Sequence, residues 1–225
     1  MINDLKLGFK LMKYGHSAKL SIIGSIVLAV FGLVFCAVGI KVRQALPGGY
    51  FLMLSVLLLL QLISTVNAAN LVQTSPMKKK LQISVPALFS VLLMLAAYLL
   101  NVVVAAVALF HANPESLELF CSQIMYTAVM MGIIMLYYGA VFKYFVASTV
   151  VFVIMFVLAY PFVISGMLQW SFMPFAEPWE NFALTAVTGL AVILVCGVLQ
   201  YLISLAVYKA PISKRALGAR LRSQL

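Results

Sequence analysis

The sequence QTSPMKKKLQIS, residues 73–84, separates two long apolar runs and carries three consecutive lysines. Serine is a residue type that caps helix N-termini, so Ser75 is a candidate cap, and Pro76 suits the first helical position. The segment therefore predicts a short basic helix that begins at Ser75. Its lysines lie in the first turns, where the helix dipole favours acidic side chains, so helix stability alone does not explain them.

The composition of the rest of the chain is that of a membrane protein. Of 225 residues, 65% are hydrophobic and only 9% are charged, whereas a soluble domain has about 25% charged residues. The net charge of +10 would suggest nucleic-acid binding in a soluble protein, but here the cations lie between and beyond the apolar runs. We therefore expect membrane lipids as partners, and no nucleic acid.

Six apolar runs are each long enough to cross a bilayer, which takes about 20 residues. They predict an all-α integral membrane fold that forms one transmembrane domain over residues 1–225. Between the first two runs, Pro47-Gly48-Gly49 is interpreted as the turn that breaks the helix. The six predicted spans are about 20–40, 50–71, 85–110, 119–142, 145–168 and 182–208.

The lysines and arginines set the predicted orientation, because short cytoplasmic segments are enriched in these residues. With a cytoplasmic N-terminus, 13 of the 15 cations fall on the inner side. Both termini, the basic segment between the second and third spans, and the basic tail at 209–225 are then cytoplasmic. Glu115, Glu118, Glu177 and Glu180 fall outside.

Residues 1–19 are predicted to form an amphipathic helix that lies in the plane of the membrane. Apolar side chains lie along one side of this helix and lysines along another, which is typical of binding to an anionic leaflet. The alternative is an ordinary basic flank that only sets the topology. The candidate contact residues are Lys6, Phe9, Lys10 and Lys13.

The connection between the fifth and sixth spans, MLQWSFMPFAEPWENFAL, is highly apolar although it is predicted to lie outside. Two prolines divide it into short pieces. We predict a broken hairpin that dips into the outer leaflet, marked by Trp170, Pro174, Pro178 and Trp179. The alternative is an aromatic belt at the membrane surface.

Residues for catalysis are scarce at membrane depth. All five acidic residues lie in terminal or connecting segments, and His16 and His111 lie near the ends of predicted spans. Cys36, Cys121 and Cys196 are far apart, without the spacing of a metal site or a disulfide framework. We expect no catalytic site, metal or cofactor in this chain, and an intramembrane enzyme is disfavoured.

Active transport by this chain would take its energy from sodium coupling through carbonyl and hydroxyl groups or from a source outside the chain. Proton-driven carriers usually bury an acidic residue or a histidine, and the predicted spans hold none well inside their ends. The sequence has no GxxxxGK[ST] loop, so it does not bind ATP in that manner. ATP hydrolysis is therefore expected in a partner chain.

Polar and small residues inside the spans are candidates for a pathway or for helix packing. Tyr98 and Asn101 form an i, i+3 pair in the third span and could line a pathway, or they could bond a neighbouring helix. Glycines recur on the first span, and Ala128 and Gly132 form a small-xxx-small pair on the fourth. These small residues suit either packing within the chain or a dimer interface.

This layout resembles the membrane (permease) subunits of type-2 ABC transporters, an exporter class. NLVQTSPMKKKLQIS is similar to the basic segment that follows the second span in that family, and YKAPISKRALGARL looks like its basic tail. The resemblance implies that two six-span subunits, identical or homologous, pair around a pathway in a bacterial plasma membrane. Separate ATPase subunits, which hold ATP and Mg, would dock beneath them.

In this resemblance, the basic segment corresponds to a coupling helix that transmits closure of the ATPases. A path lined mainly by apolar side chains would suit an amphipathic cargo such as a peptide, a drug or a lipid-like molecule. The alternative function is a non-catalytic membrane scaffold or immunity-type protein that needs no ATPase. The candidate coupling residues are Ser75, Pro76, Met77, Lys78, Lys79, Lys80 and Leu81.

Overall fold

The computed structural model describes part of the chain. The described residues are helical or form short turns, and they contain no strand, so the all-α prediction is confirmed for them. They are Lys6 and residues 18–42, 46–67, 75–110, 117–168 and 181–209.

Six long helices coincide with the six predicted apolar runs. They are α1 Ala18–Val42, α2 Leu46–Asn67, α3 Val85–Phe110, α4 Leu117–Ala140, α5 Phe145–Leu168 and α6 Phe182–Tyr208. Four helical segments are long and apolar enough to cross a membrane, namely Ala18–Cys36, Lys80–Phe110, Phe120–Ala140 and Phe182–Tyr208, of which the second begins before α3. The apolar segments in α2 and α5 are shorter, Gly48–Ser64 and Val146–Leu158.

Contacts between the helices show which pairs are parallel and which are antiparallel. α1 and α2 are antiparallel, because Gly24 lies against Leu58 while Gly32 lies against Leu52. α3 is antiparallel to α6, since Ser90 bonds Gln200 near one end and Tyr98 bonds the carbonyl of Ala186 further along.

α4 and α6 are parallel, since Gly132 lies against Cys196 and Gly139 against Ile203. A turn after Ala140 reverses the chain, and the rings of Tyr137 and Phe152 then meet with centroids 4.8 Å apart. α4 and α5 therefore form an antiparallel hairpin. The starts of α3 and α5 and the end of α6 consequently lie at one end of the bundle.

α4 is the most enclosed helix. Of its spanning segment 67% is buried, against 17–33% in the other three. It packs on α2, α3, α5 and α6, and its pairing with α6 is, with the pair α1 and α2, the most extensive in the structure. α4 also has the lowest hydropathy of the four, which fits a membrane protein, because the most apolar helices surround a more polar one.

Small residues bring the helix pairs together. An added Cβ at Gly32 would lie 3.0 Å from the backbone nitrogen of Leu52, and one at Gly189 would lie 3.1 Å from the Cβ of Ala128. The small residues on α1 and α4 therefore pack against helices of the same chain. Gly39 lies in α1, but its packing is outside the described part of the structure.

The interpretation of Pro47-Gly48-Gly49 as a helix break is wrong. All three residues belong to the first turn of α2, which begins at Leu46. Proline is tolerated in the first turn because its missing N–H has no partner there in any case. The two glycines let α2 approach Cys36 of α1 and Asn101 of α3 closely.

Substitution of Gly189 tests this packing. The methyl group of Gly189→Ala would overlap the Tyr98 hydroxyl, so the bond from Tyr98 to Ala186 must break. We expect a loss of about 1–3 kcal/mol of stability, measured as a lower melting temperature in detergent. Gly24→Ala is the matched control, because its methyl group would meet only the flexible end of Leu58, at 3.3 Å. Equal losses in both variants would contradict the assigned packing.

Candidate functional site

The basic segment starts as a capped helix, as predicted from Ser75 and Pro76. The Ser75 hydroxyl oxygen accepts a hydrogen bond from the Met77 backbone N–H at 3.2 Å. The Ser75 carbonyl accepts from the N–H of Lys78 at 3.0 Å, and the Met77 carbonyl accepts from Leu81 at 3.0 Å. The cap fixes the direction in which the chain enters the bundle.

The segment is not a separate short helix, which corrects that part of the expected fold. Helical structure begins at Lys78 and runs through a π-helical segment, Lys80–Ser84, directly into α3. Within this segment the N–H of Val85 donates to the carbonyl of Lys80, five residues earlier.

The wider turn has a local cause in Pro86. A proline ring inside an α-helix clashes with the carbonyl four residues earlier, here that of Gln82. The π-helical segment enlarges the turn at that position and keeps the helix continuous. Residues 78–110 therefore form one continuous helical segment.

Met77 and Leu81 differ in exposure, although they lie one turn apart. Met77 is 46% exposed, whereas Leu81 is 7% exposed and packs inside. The exposed surface of the segment is therefore formed by Pro76, Met77, Lys79 and Lys80. Leu81 instead anchors the segment to the bundle.

A further lysine lies near the start of α3, in the turn between α4 and α5. Lys143 is almost completely buried, and its Nζ lies 5.9 Å from the centroid of the Tyr208 ring. Burial lowers the pKa of Lys143, and the nearby charge of Lys78 lowers it further. Lys78, Lys143 and Lys209 thus mark one end of the bundle, which we call the basic end.

A groove of about 360 Å³ opens at the basic end, between the start of α3 and the last turns of α6. One side of the groove belongs to the basic segment, and Tyr201 of α6 forms the other side. Its lining residues are Pro76, Met77, Lys79, Lys80, Ile83, Ser84 and Tyr201. It combines cations and hydroxyl groups with an apolar floor.

Further inside the bundle, a space of about 10 Å³ is bordered by Gln82, Tyr138 and Gln200 together with apolar side chains. This is about the size of one water molecule. The Ser90 hydroxyl donates to the Gln200 side-chain oxygen at 2.5 Å. The interior beneath the basic segment is therefore polar and joins α3 to α6.

The two pathway candidates are buried between helices of this chain. The Tyr98 hydroxyl donates to the carbonyl of Ala186 at 2.9 Å, and the Asn101 side-chain nitrogen donates to the Thr127 hydroxyl at 3.3 Å. The buried Asn101 side-chain oxygen makes no hydrogen bond within the described structure. These contacts are those of helix packing, and a pathway role for the pair stays a prediction.

Most of the other predicted site residues lie outside the described part of the chain. Lys6 is described as helical and exposed. The residues that lie outside are Phe9, Lys10 and Lys13 of the interfacial helix and Trp170, Pro174, Pro178 and Trp179 of the outer hairpin. The tail beyond Lys209 is outside as well.

Sequence reasoning missed the contribution of Lys143 and Tyr201 to the basic end. In the sequence, Lys143 is one of the 13 cations on the predicted inner side, and Tyr201 is a polar residue within the last predicted span. Both are remote in sequence from residues 75–81, so no local pattern joins them. A lysine directly after a long apolar helix was the one available signal for Lys143.

Among the described residues, which include neither histidine, the cysteines and the acidic residue form no group of three that could hold a metal ion. Comparison with known proteins gives no match to a protein-family model, to a curated protein or to a solved structure.

The cap at Ser75 gives a direct test of the site geometry. Ser75→Ala removes the acceptor for the Met77 N–H, at a cost of about 1 kcal/mol. We expect amide hydrogen exchange at Met77 and Lys78 to become roughly fivefold faster, as measured by mass spectrometry. Ser75→Asp keeps an acceptor and should retain slow exchange. Unchanged exchange in Ser75→Ala would contradict the cap.

Proposed function

We propose that this chain is the transmembrane subunit of an ATP-driven exporter. In this proposal all six helices cross the membrane, both termini are cytoplasmic, and the basic end faces the cytoplasm. Two such subunits, identical or homologous, pair around the pathway, and separate ABC ATPase subunits dock beneath them. ATP and Mg are held by those partners.

The observation that carries the proposal is the exposed surface of Met77, Lys79 and Lys80 on a rigid helix start. An apolar side chain beside cations suits a groove with an apolar floor and acidic rims on a partner protein. The cap at Ser75, at the N-terminal end of this surface, and the buried side chain of Leu81, one turn after Met77, hold the surface in place. A docking surface transmits force only if it does not yield locally, and this one is anchored on both sides.

The contacts of α3 supply a route from that surface into the bundle. A push on Met77 reaches α3 through a continuous helix, and the Ser90–Gln200 hydrogen bond passes it to α6. The Tyr98–Ala186 bond joins the same two helices two turns further along. α3 and α6 would therefore move as a pair.

The cargo class follows from the exposed surface. Large apolar side chains cover the outer faces of α1, α5 and α6, so a pathway between two subunits would be lined mainly by such groups. An amphipathic peptide, drug or lipid-like molecule suits these walls. Tyr98 and Asn101 contact neighbouring helices of their own chain. They would therefore stabilise the helices that line the pathway without lining it themselves.

The topology is tested with single cysteines in a background in which the three native cysteines are replaced by alanine. In intact cells, Glu118→Cys should react with a membrane-impermeant maleimide. Lys19→Cys and Lys209→Cys should react only after the membrane is permeabilised. All three positions are exposed in the structure. Labelling of Lys19→Cys and Glu118→Cys from the same side would contradict the topology.

The coupling role is tested by affinity purification in mild detergent followed by assay of Mg-dependent ATP hydrolysis. We expect wild type and Met77→Leu to retain an ATPase, and Met77→Asp to lose at least about tenfold of the activity, since a buried carboxylate without a partner costs more than 1.4 kcal/mol. Leu81 is left unchanged, because its burial makes a charged replacement there disruptive to the fold itself.

Two results would count against this assignment. Retention of the ATPase by Met77→Asp would exclude Met77 as the contact. Absence of an ATPase from intact wild type would favour the alternative function, a non-catalytic membrane scaffold or immunity-type protein.

A further inference from the structure

The groove at the basic end has the composition of an anion site with an apolar extension. Lys79 and Lys80 are exposed on its rim, and Ser84 and Tyr201 add hydroxyl groups. Ile83 is fully buried and forms the floor. Lysine and hydroxyl donors together bind phosphate oxygens. An apolar floor gives no favourable contact to a hydrated free ion.

No carboxylate among the described residues lies near this groove. Glu118 is the one acidic side chain in the described ranges, and it lies in the first turn of α4. Lys143 and Lys209 lie at the opposite end of the bundle from Glu118, and this is the end at which the groove opens. The potential at the groove is therefore positive, which attracts an anion.

An exposed apolar track leads from the groove along α6. Leu194, Val198 and Tyr201 follow one another at helical spacings of four and three, so they lie on one face, and all three are exposed. Tyr201 lies nearest to the end of α6, about 10 Å before Tyr208 at 1.5 Å per residue. An acyl chain placed on Val198 and Leu194 would point away from the basic end, toward the middle of the helix.

We propose that this groove binds the headgroup of an anionic phospholipid. Lys79, Lys80 and the Tyr201 hydroxyl contact the phosphate, and the acyl chains lie on Val198 and Leu194. Basic pockets between membrane helices are suited to such headgroups, and tyrosine is enriched at the depth of the headgroups. The track of exposed apolar residues favours a lipid over a free phosphate ion or an acidic peptide, neither of which would use it.

Lipid binding is measured by native mass spectrometry of the detergent-solubilised full chain, titrated with phosphatidylglycerol or with phosphatidylcholine. We expect wild type to bind one phosphatidylglycerol in preference to phosphatidylcholine. Lys79→Gln/Lys80→Gln should weaken phosphatidylglycerol binding by roughly 25-fold, at about fivefold for each lysine. Tyr201→Phe should weaken it severalfold. Lys79→Arg/Lys80→Arg keeps both charges and should retain binding, which separates loss of the site from loss of the fold.

The matched control is Lys19→Gln/Lys209→Gln, which removes two exposed lysines outside the groove. It should bind phosphatidylglycerol as wild type does. An equal loss in this control would mean general charge attraction and would overturn the proposal, as would equal binding of the two lipids. Displacement of the lipid by millimolar inorganic phosphate or by a short polyglutamate peptide would assign the groove to those anions instead.

This inference goes beyond the proposed transport function and does not depend on it. The lipid titration contains no ATPase, and the ATPase purification keeps both groove lysines, so each experiment fails or succeeds without the other. Met77 is unchanged in every lipid variant, and the lysines are unchanged in every ATPase variant.

Discussion

Hydrogen bonds from side chains to the backbone carbonyls of neighbouring helices are the interaction on which this bundle depends. Ser25 donates to the carbonyl of Ser55, Tyr98 to Ala186, Tyr138 to Leu57 and Ser204 to Gly139. Apolar side chains gain little from each other in a bilayer, because lipid tails are equally apolar, so close packing and such bonds decide which helices pair. Two of these contacts occur where a glycine lies at the crossing, since Tyr98 lies against Gly189 and Ser204 bonds Gly139 itself. The absence of a side chain at these positions is what brings the bonding groups within reach.

The same constraint explains why the most polar spanning helix is the most enclosed. α4 supplies the Thr127 hydroxyl, the Tyr138 hydroxyl and the Gly139 carbonyl to three different neighbours. The Thr127 hydroxyl also donates to the Gln123 carbonyl of its own helix, but a Tyr138 hydroxyl facing lipid would lose its partner, at a cost of several kcal/mol in the hydrocarbon region. Enclosure of α4 therefore leaves the apolar faces of α1, α5 and α6 outward, where lipid or a second subunit can cover them.

The basic end combines rigidity with charge, and its two proposed uses share Lys79 and Lys80 but differ in their further contacts, which are Met77 for the ATPase and Tyr201 for the lipid. The capped start of α3 presents Met77 outward, and Leu81 anchors it from behind. The lysines next to Met77 border a groove that Tyr201 closes from α6. A lipid headgroup in that groove would also screen the repulsion among the lysines gathered there. Lys143 is buried at this end, and its burial together with the charge of Lys78 lowers its pKa.

The sequence by itself determined the helical class, the approximate bounds of the six helices and the cap at Ser75, because these depend on hydropathy, length and local hydrogen bonding. It led to the wrong interpretation of Pro47-Gly48-Gly49, since a proline and two glycines break a helix in isolation but permit a tight crossing in a bundle. It also did not distinguish the exposed Met77 from the buried Leu81. Only the tertiary structure decided that difference, the continuity of residues 78–110 across Pro86, the placement of Lys143 near Lys78, and the placement of Tyr201 in the same groove as Lys79. Contacts between residues so far apart in the chain depend on which helices cross and at what depth, and that is fixed by the complementary positions of small and polar groups on different helices.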